Sequence, residues 1–195
     1  MGFTRTELEA FEGQEVEDLI GPGLRLLFVG INPGLWTAAV QTHFAHPGNR
    51  FYPALFRAGI TEYEMDRSAG MKEVDRQYLI SRGIGITNLV SRATAKASEL
   101  SSDELREGGE RLLRTVADCR PKVVAVAGIT AYREGFGQRK ASAGRQPEDP
   151  ESAVRWSGAK LWVVPNPSGL NAHETVDTLA AAYRAPAIEA GVLPA

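Results

Sequence analysis

Cysteine is nearly absent: Cys119 is the only one in 195 residues. An internal disulfide, a four-cysteine zinc site and a cysteine-ligated iron–sulfur cluster are therefore excluded. Histidine is almost as scarce. His43, His46 and His173 are the full set, and no carboxylate stands at metal-ligand spacing from them, so no metal is expected. No apolar run approaches membrane-spanning length, and the acidic start (Glu7, Glu9, Glu12, Glu15) is unlike a signal peptide. A soluble, cytoplasmic protein with no membrane partner is the expectation. An excess of positive charge is missing too. With a net charge of −2, a nucleic acid would have to be attracted by a local patch. Neither G-x-G-x-x-G, nor a Walker loop, nor a G-x-S-x-G elbow occurs.

What is present is ordinary globular material, 43% hydrophobic and 24% charged, in a length that suits one domain with a real core. Short apolar runs at Leu24–Val29, Gly83–Val90, Lys122–Gly128 and Leu161–Pro165 read as strands. The run Val123–Ala127 is apolar on both faces, which argues for a central parallel position. Helical patterns fall between them. Asn49 precedes a helix over Arg50–Ala58 with Phe51, Leu55 and Phe56 inward, and Thr61–Arg82 is a polar helix with Met65, Val74, Tyr78 and Leu79 inward. Ser101 with Glu104 is a capping box for a helix reaching Cys119, Thr130–Gly135 is a short helix, and Glu174–Tyr183 is a helix that Pro186 kinks or ends.

The alternation predicts an α/β protein, a three-layer α/β/α sandwich around a small, mainly parallel sheet of about four strands. Residues 1–20 read as an N-terminal extension, a frayed helix or a segment packed on the domain. Residues 21–195 form a single domain, with a mobile, Pro- and Gly-rich excursion at about 138–159. Leu35–Gly48 reads as a long irregular stretch, and such loops are often functional.

Two loops stand out. Gly30-Ile31-Asn32-Pro33-Gly34 follows the first strand and Asn166-Pro167-Ser168-Gly169-Leu170 follows the last. Ligand sites of open α/β sheets collect beyond the carboxyl ends of parallel strands, so both loops are placed to face one crevice. Alone, each is equally readable as a Gly/Pro turn.

Taken with Phe44-Ala45-His46-Pro47-Gly48-Asn49-Arg50-Phe51, the two loops resemble the mismatch-specific uracil-DNA glycosylases, the bacterial branch of the mismatch-uracil/thymine-DNA glycosylase family. The resemblance spans about Asp18 to Ala190. It implies a monofunctional glycosylase of base excision repair that hydrolyses the N-glycosidic bond of a flipped-out uracil opposite guanine, with thymine, 5-substituted uracil and etheno-cytosine as further candidates. The partner would be double-stranded DNA carrying a mismatched or damaged pyrimidine, bound by a monomer without a cofactor. Asn32 would be catalytic. Ile31, Thr37, Phe44 and Asn88 would bind the base, with Phe44 stacking on it. Asn166, Pro167, Ser168, Gly169, Leu170 and Asn171 would supply the DNA wedge and the contact to the opposing guanine, with Leu170 as the inserted side chain. Two devices of the efficient family-one uracil glycosylases are missing. Asn166 stands in place of a catalytic His, and Gly34 in place of a Tyr that blocks the thymine methyl. Relatives often carry an acidic residue where this chain has Ser91. Arg50, Arg92, Arg139, Lys140, Arg145 and Lys160 are the candidate phosphate partners. The competing expectation is a protein that binds mismatches or abasic sites with little or no turnover.

Overall fold

The computed structural model of the chain describes residues 2–195. The apolar runs become strands: β1 (Leu26–Gly30), β2 (Ile84–Asn88), β3 (Val123–Ala127) and β5 (Lys160–Val164), with a two-residue β4 at Gly144–Arg145. The order across the sheet is β2-β1-β3-β5-β4. The first four strands are parallel to their neighbours and β4 runs antiparallel to β5. Every residue of β1, β2 and β3 is buried, as central strands covered on both faces require.

The helices are α1 (Arg5–Glu9), α2 (Leu35–Val40), α3 (Phe51–Arg57), α4 (Glu73–Ser81), α5 (Ser102–Cys119), α6 (Ile129–Phe136), α7 (Pro150–Arg155) and α8 (Val176–Glu189). Strand side chains alternate between two cores. Leu26, Phe28, Ile84, Ile86 and Val123 pack with Phe51, Tyr52 and Leu55 of α3 and Leu179 and Tyr183 of α8. On the other face Leu27, Val29, Val124 and Val126 pack with Leu112 and Val116 of α5 and Tyr132 and Phe136 of α6. The result is the expected three-layer α/β/α sandwich. Among the described residues no helix is long and apolar enough to cross a membrane.

Several local expectations are corrected. The stretch after Gly34 is not irregular throughout: Leu35–Val40 is helical, its Ala38 packing with Val16 and Ala93, and Gln41 ends it in the left-handed region. The polar helix is far shorter than Thr61–Arg82. Only Glu73–Ser81 is helical, and Val74 is 67% exposed. Phe56, placed inward by periodicity, is 46% exposed because α3 is seven residues long and buries mainly Phe51, Tyr52, Ala54 and Leu55. Pro186 does not end α8. The helix continues to Glu189, with Pro186, Ala187 and Ala190 buried, so packing outweighs the hydrogen bond a proline removes.

The first residues divide. Thr4 and Glu7 form a capping box on α1, and the following segment lies antiparallel to the β2 side of the sheet through bridges Glu15↔Arg92 and Leu19↔Ile86. The excursion at 138–159 carries β4 and α7, and its Trp156 packs on Phe136 with ring centroids 5.0 Å apart.

Candidate active site

The carboxyl ends of β1, β3 and β5 bring the two Asn-Pro loops together. Gly128, just beyond β3, adopts φ +118°, and a Cβ added there would lie 3.4 Å from Ile31 Cδ1 and 3.9 Å from Asn166 Cβ. The chain between Leu89 and Thr94 runs beside the first loop: Leu89, Val90 and Thr94 donate their N–H groups to the carbonyls of Gly30, Ile31 and Pro33 at 2.8, 2.9 and 3.1 Å.

This neighbour fixes Asn32. Its amide Nδ2 donates to Thr94 Oγ1 at 2.7 Å, to the Arg92 carbonyl at 3.1 Å and to the Pro33 carbonyl at 3.2 Å. The Thr94 hydroxyl hydrogen is committed to the Lys96 carbonyl at 2.9 Å, so Thr94 can only accept from Asn32. Acceptors on every side leave one orientation for the amide. Its oxygen has no donor among the described residues and is not sealed from solvent. Asn32 thus offers a fixed carbonyl oxygen, an acceptor for a water but not a base strong enough to deprotonate one.

Gly30 pairs with Asn88 across β1 and β2. A Cβ at Gly30 would fall 2.3 Å from Asn88 Oδ1 and 3.1 Å from Phe44 Cζ, so only glycine lets these two side chains meet over the strand end. Phe44 has φ +55°, a left-handed conformation costing roughly 1–2 kcal/mol for a side chain of this kind. Two local contacts oppose that cost. Phe44 stacks on Phe51 at 4.2 Å, and Tyr52 Oη donates to the adjacent His43 carbonyl at 2.9 Å. His43 is buried, with Nε2 3.0 Å from the Glu17 carbonyl and Nδ1 3.0 Å from Asn88 Nδ2. Burial drives its pKa below the ordinary histidine value and so favours the neutral ring.

The second loop is built by its own side chains and by one remote arginine. Asn166 Oδ1 accepts from Ser168 N–H at 3.0 Å and the Asn166 carbonyl accepts from Asn171 Nδ2 at 3.2 Å. Pro167 and Arg50 join the loops through Arg50 N–H to the Pro167 carbonyl at 3.0 Å. A Cβ at Gly169 would strike the Gly48 carbonyl at 2.6 Å, so the loop lies directly on the Phe44–Phe51 stretch. Leu170 is 90% exposed, an apolar side chain projecting from the loop tip.

The sequence model of the uracil DNA glycosylase superfamily matches residues 17–188. The chain belongs to that superfamily. The fold agrees with this membership. The solution NMR structure of a "putative uracil DNA glycosylase" from Methanosarcina acetivorans superposes with a TM-score of 0.58, at 15% identity, over 89% of this chain and 97% of that one.

Within this superfamily member, not every expected residue reaches the crevice in the expected way. Thr37 is buried in α2, where its carbonyl accepts from Thr42 N–H at 3.2 Å, and no hydrogen bond among the described residues links its hydroxyl to Asn88 or Phe44. Arg50 is no free phosphate partner. Its guanidinium is spent on the carbonyls of Ser168 at 2.5 Å, Asn171 at 2.7 Å and Glu174. Arg92 is paired with Glu104, Arg145 with Glu148 and Glu189, and Lys160 with Glu148. Arg139 and Lys140 are exposed in the segment between α6 and β4. Four of the six basic residues are thus engaged within the protein.

Ser91 does have a carboxylate beside it, supplied by the N-terminal segment: its Oγ donates to Glu15 Oε1 at 2.7 Å. A cavity of about 270 Å³, lined in part by Tyr132, Gln146, Trp156 and Lys160, lies at the amino end of β5 and is separate from the loops. Sequence reasoning missed Thr94, the Arg92 carbonyl and His43 as parts of the site. Only the polar loop after β2 hinted at the first two.

Proposed function

We propose that the protein is a monofunctional DNA glycosylase that hydrolyses the N-glycosidic bond of a uracil flipped out from a pair with guanine. The observation that carries this reading is the pinned amide of Asn32, whose free carbonyl oxygen stands at the carboxyl end of β1. In the reaction the C1′–N1 bond breaks, the base departs with the bonding electrons, and water adds to C1′, leaving an abasic sugar. Asn32 Oδ1 accepts a hydrogen bond from that water and directs its oxygen at C1′ as the sugar gains oxocarbenium character. Orientation of this kind lowers the barrier without proton abstraction. The water's proton passes to solvent, and the base anion is stabilised by backbone N–H donors, among them those of Ile31 and Phe44, before taking up a proton.

Phe44 stacks on the extruded base, a contact worth about 1–3 kcal/mol, while Asn88 reads its edge. Leu170 enters the vacated stack, and the Asn166–Asn171 loop faces the opposing guanine. A chain without a cofactor, acting as a monomer on double-stranded DNA, suffices for this chemistry. Catalysis by orientation alone predicts slow turnover and a site that admits 5-substituted pyrimidines, with much of the selectivity for mismatches coming from their ease of flipping.

The deciding experiment is single-turnover release of free base from G·U duplex. Wild type releases uracil. Asn32→Ala abolishes release and retains duplex binding within a few-fold. Binding without release in the wild type would instead make this a protein that holds mismatches or abasic sites.

A further inference from the structure

We infer that His43 is a positioning residue that holds the Asn88 amide with its oxygen toward the pocket, making the site favour bases that present a ring N–H. The inference rests on the glycosylase reading above and deepens it by assigning a polarity to the base-reading group.

The chain of hydrogen bonds is directional. The Glu17 carbonyl can only accept, so the His43 nitrogen 3.0 Å from it, Nε2, carries the hydrogen. In the neutral ring Nδ1 is then a lone pair, which must accept from its partner at 3.0 Å. That partner is the Asn88 amide nitrogen. One buried carbonyl thus sets the tautomer of the imidazole, and the tautomer sets the rotamer of the amide. The geometry at the other end agrees. Asn88 Oδ1 lies over Gly30, beside Phe44 Cζ, where even a methyl group on residue 30 would be excluded. Asn88 is only 6% exposed, yet among the described residues its oxygen has no donor and is not one of the sealed, unpartnered atoms, which are the Nε atoms of Arg50, Arg67 and Arg82.

The surroundings favour the neutral ring. His43 is 4% exposed, so charging it would strip hydration from an imidazolium. Asp18 and Arg76 act on it with opposite sign. A protonated ring would present N–H groups on both sides and turn the Asn88 amide end for end.

A fixed acceptor at this place distinguishes pyrimidines by the hydrogen on N3. Uracil and its 5-substituted forms carry N3–H and donate to Asn88 Oδ1. Cytosine offers a lone pair there, and etheno-bridged cytosine has no N–H on that edge. Among the bases the pocket could admit by size, the imides are therefore preferred, and the etheno adduct is disfavoured by polarity.

The test compares single-turnover excision of uracil and of 3,N4-ethenocytosine, each opposite guanine, by wild type, His43→Phe and His43→Gln, together with the ¹⁵N long-range spectrum of the wild-type imidazole. The spectrum is expected to show the neutral Nε2–H form at pH 7. His43→Phe removes the acceptor, frees the amide to rotate and lowers the uracil-to-ethenocytosine rate ratio by about tenfold, the worth of one directional hydrogen bond. His43→Gln supplies a donor and an acceptor in similar places and keeps the ratio near that of wild type. A merely structural role would slow both substrates equally in His43→Phe and leave the ratio unmoved, which overturns the inference. An Nδ1–H tautomer or an imidazolium at pH 7 overturns it as well, and that spectrum decides even where a variant fails to fold. If wild type releases neither base, the glycosylase reading fails on its own, and the ring spectrum still reports whether His43 orients Asn88.

Discussion

At the residue scale the site depends on which atoms are left over after the protein has satisfied itself. Asn32 spends its amide nitrogen on three acceptors, so an aspartate in its place would set a carboxylate oxygen against two carbonyls and a hydroxyl already donating elsewhere. The architecture therefore suits an amide, and with it a water that is oriented and not deprotonated. Gly34 is a different kind of residue. It caps α2, its φ is an ordinary −77°, and a Cβ there would meet nothing within 4 Å. Nothing in the fold requires glycine at this position, so its value lies in open space. Gly34→Tyr is expected to leave the melting temperature unchanged within about 1 °C, because surface substitutions away from strained positions usually alter stability by less than about 0.5 kcal/mol. The same variant should reduce excision of thymine and other 5-substituted uracils at least tenfold relative to uracil. Equal loss on all substrates would separate Gly34 from control of the 5-position.

At the scale of elements, two arginines expected to meet phosphates instead hold loops. Arg50, at the head of α3, reaches three carbonyls of the 168–174 segment, and its Nε is buried without a partner. This fork anchors the backbone from which Leu170 projects. A lysine has neither the planar fork nor the reach to serve three carbonyls. Arg50→Lys is therefore expected to cost about 2–4 kcal/mol and to speed amide hydrogen exchange across 168–174 more than elsewhere. Uniformly unchanged protection would show that the loop holds its shape alone.

Arg92 ties the loop that holds Asn32 to the start of α5, through Glu104 and the Glu99 carbonyl. Hydrogen bonds from Arg92 and from the Ser101 backbone lower the Glu104 carboxyl from 4.5 to about 2. A folded-state pKa below the unfolded value stabilises the protein above the ordinary carboxylate range, and that contribution fades as pH falls toward 2. Glu104→Gln should accordingly flatten the melting-temperature profile between about pH 4.5 and 2 while lowering it near neutrality. An acid limb as steep as that of wild type would contradict the pairing.

At the scale of the whole molecule, the net charge is −2, and Arg92, Arg145 and Lys160 are paired with carboxylates. Arg139 and Lys140 are exposed in the segment between α6 and β4, and no carboxylate is paired with either among the described residues. Replacing both with glutamate tests whether they meet phosphate, since an unchanged slope of log affinity against log salt excludes them. Each lost phosphate contact would instead reduce that slope by about 0.9.

The α/β/α layering was legible in the sequence because Leu26–Gly30 and Val123–Ala127 are apolar on both faces, and only a doubly covered parallel strand uses such a run. The two Asn-Pro loops were legible as turns beyond strand ends, since a Gly/Pro backbone states its own turn locally, whereas Asn32 and Phe44 were singled out only by the resemblance of three ordered motifs to a known family. The short helix at Leu35–Val40 was not, because its burial depends on Val16 and Ala93, which belong to other parts of the chain. Nor could local pattern place Pro186 inside a helix, where packing against both α3 and the sheet decides the matter. The orientation of side chains escaped the sequence altogether. Which way the Asn32 amide turns is set by Thr94, which way Asn88 turns is set by His43, and whether Arg50 meets phosphate or backbone is set by where Ser168 and Asn171 fall. Hydrogen bonds act over about 3 Å, and these partners lie 62, 45 and 118 or more positions apart in the chain. Residue types determined what chemistry the loops can offer. Tertiary contacts alone decided which atom of each amide is left without a partner inside the fold.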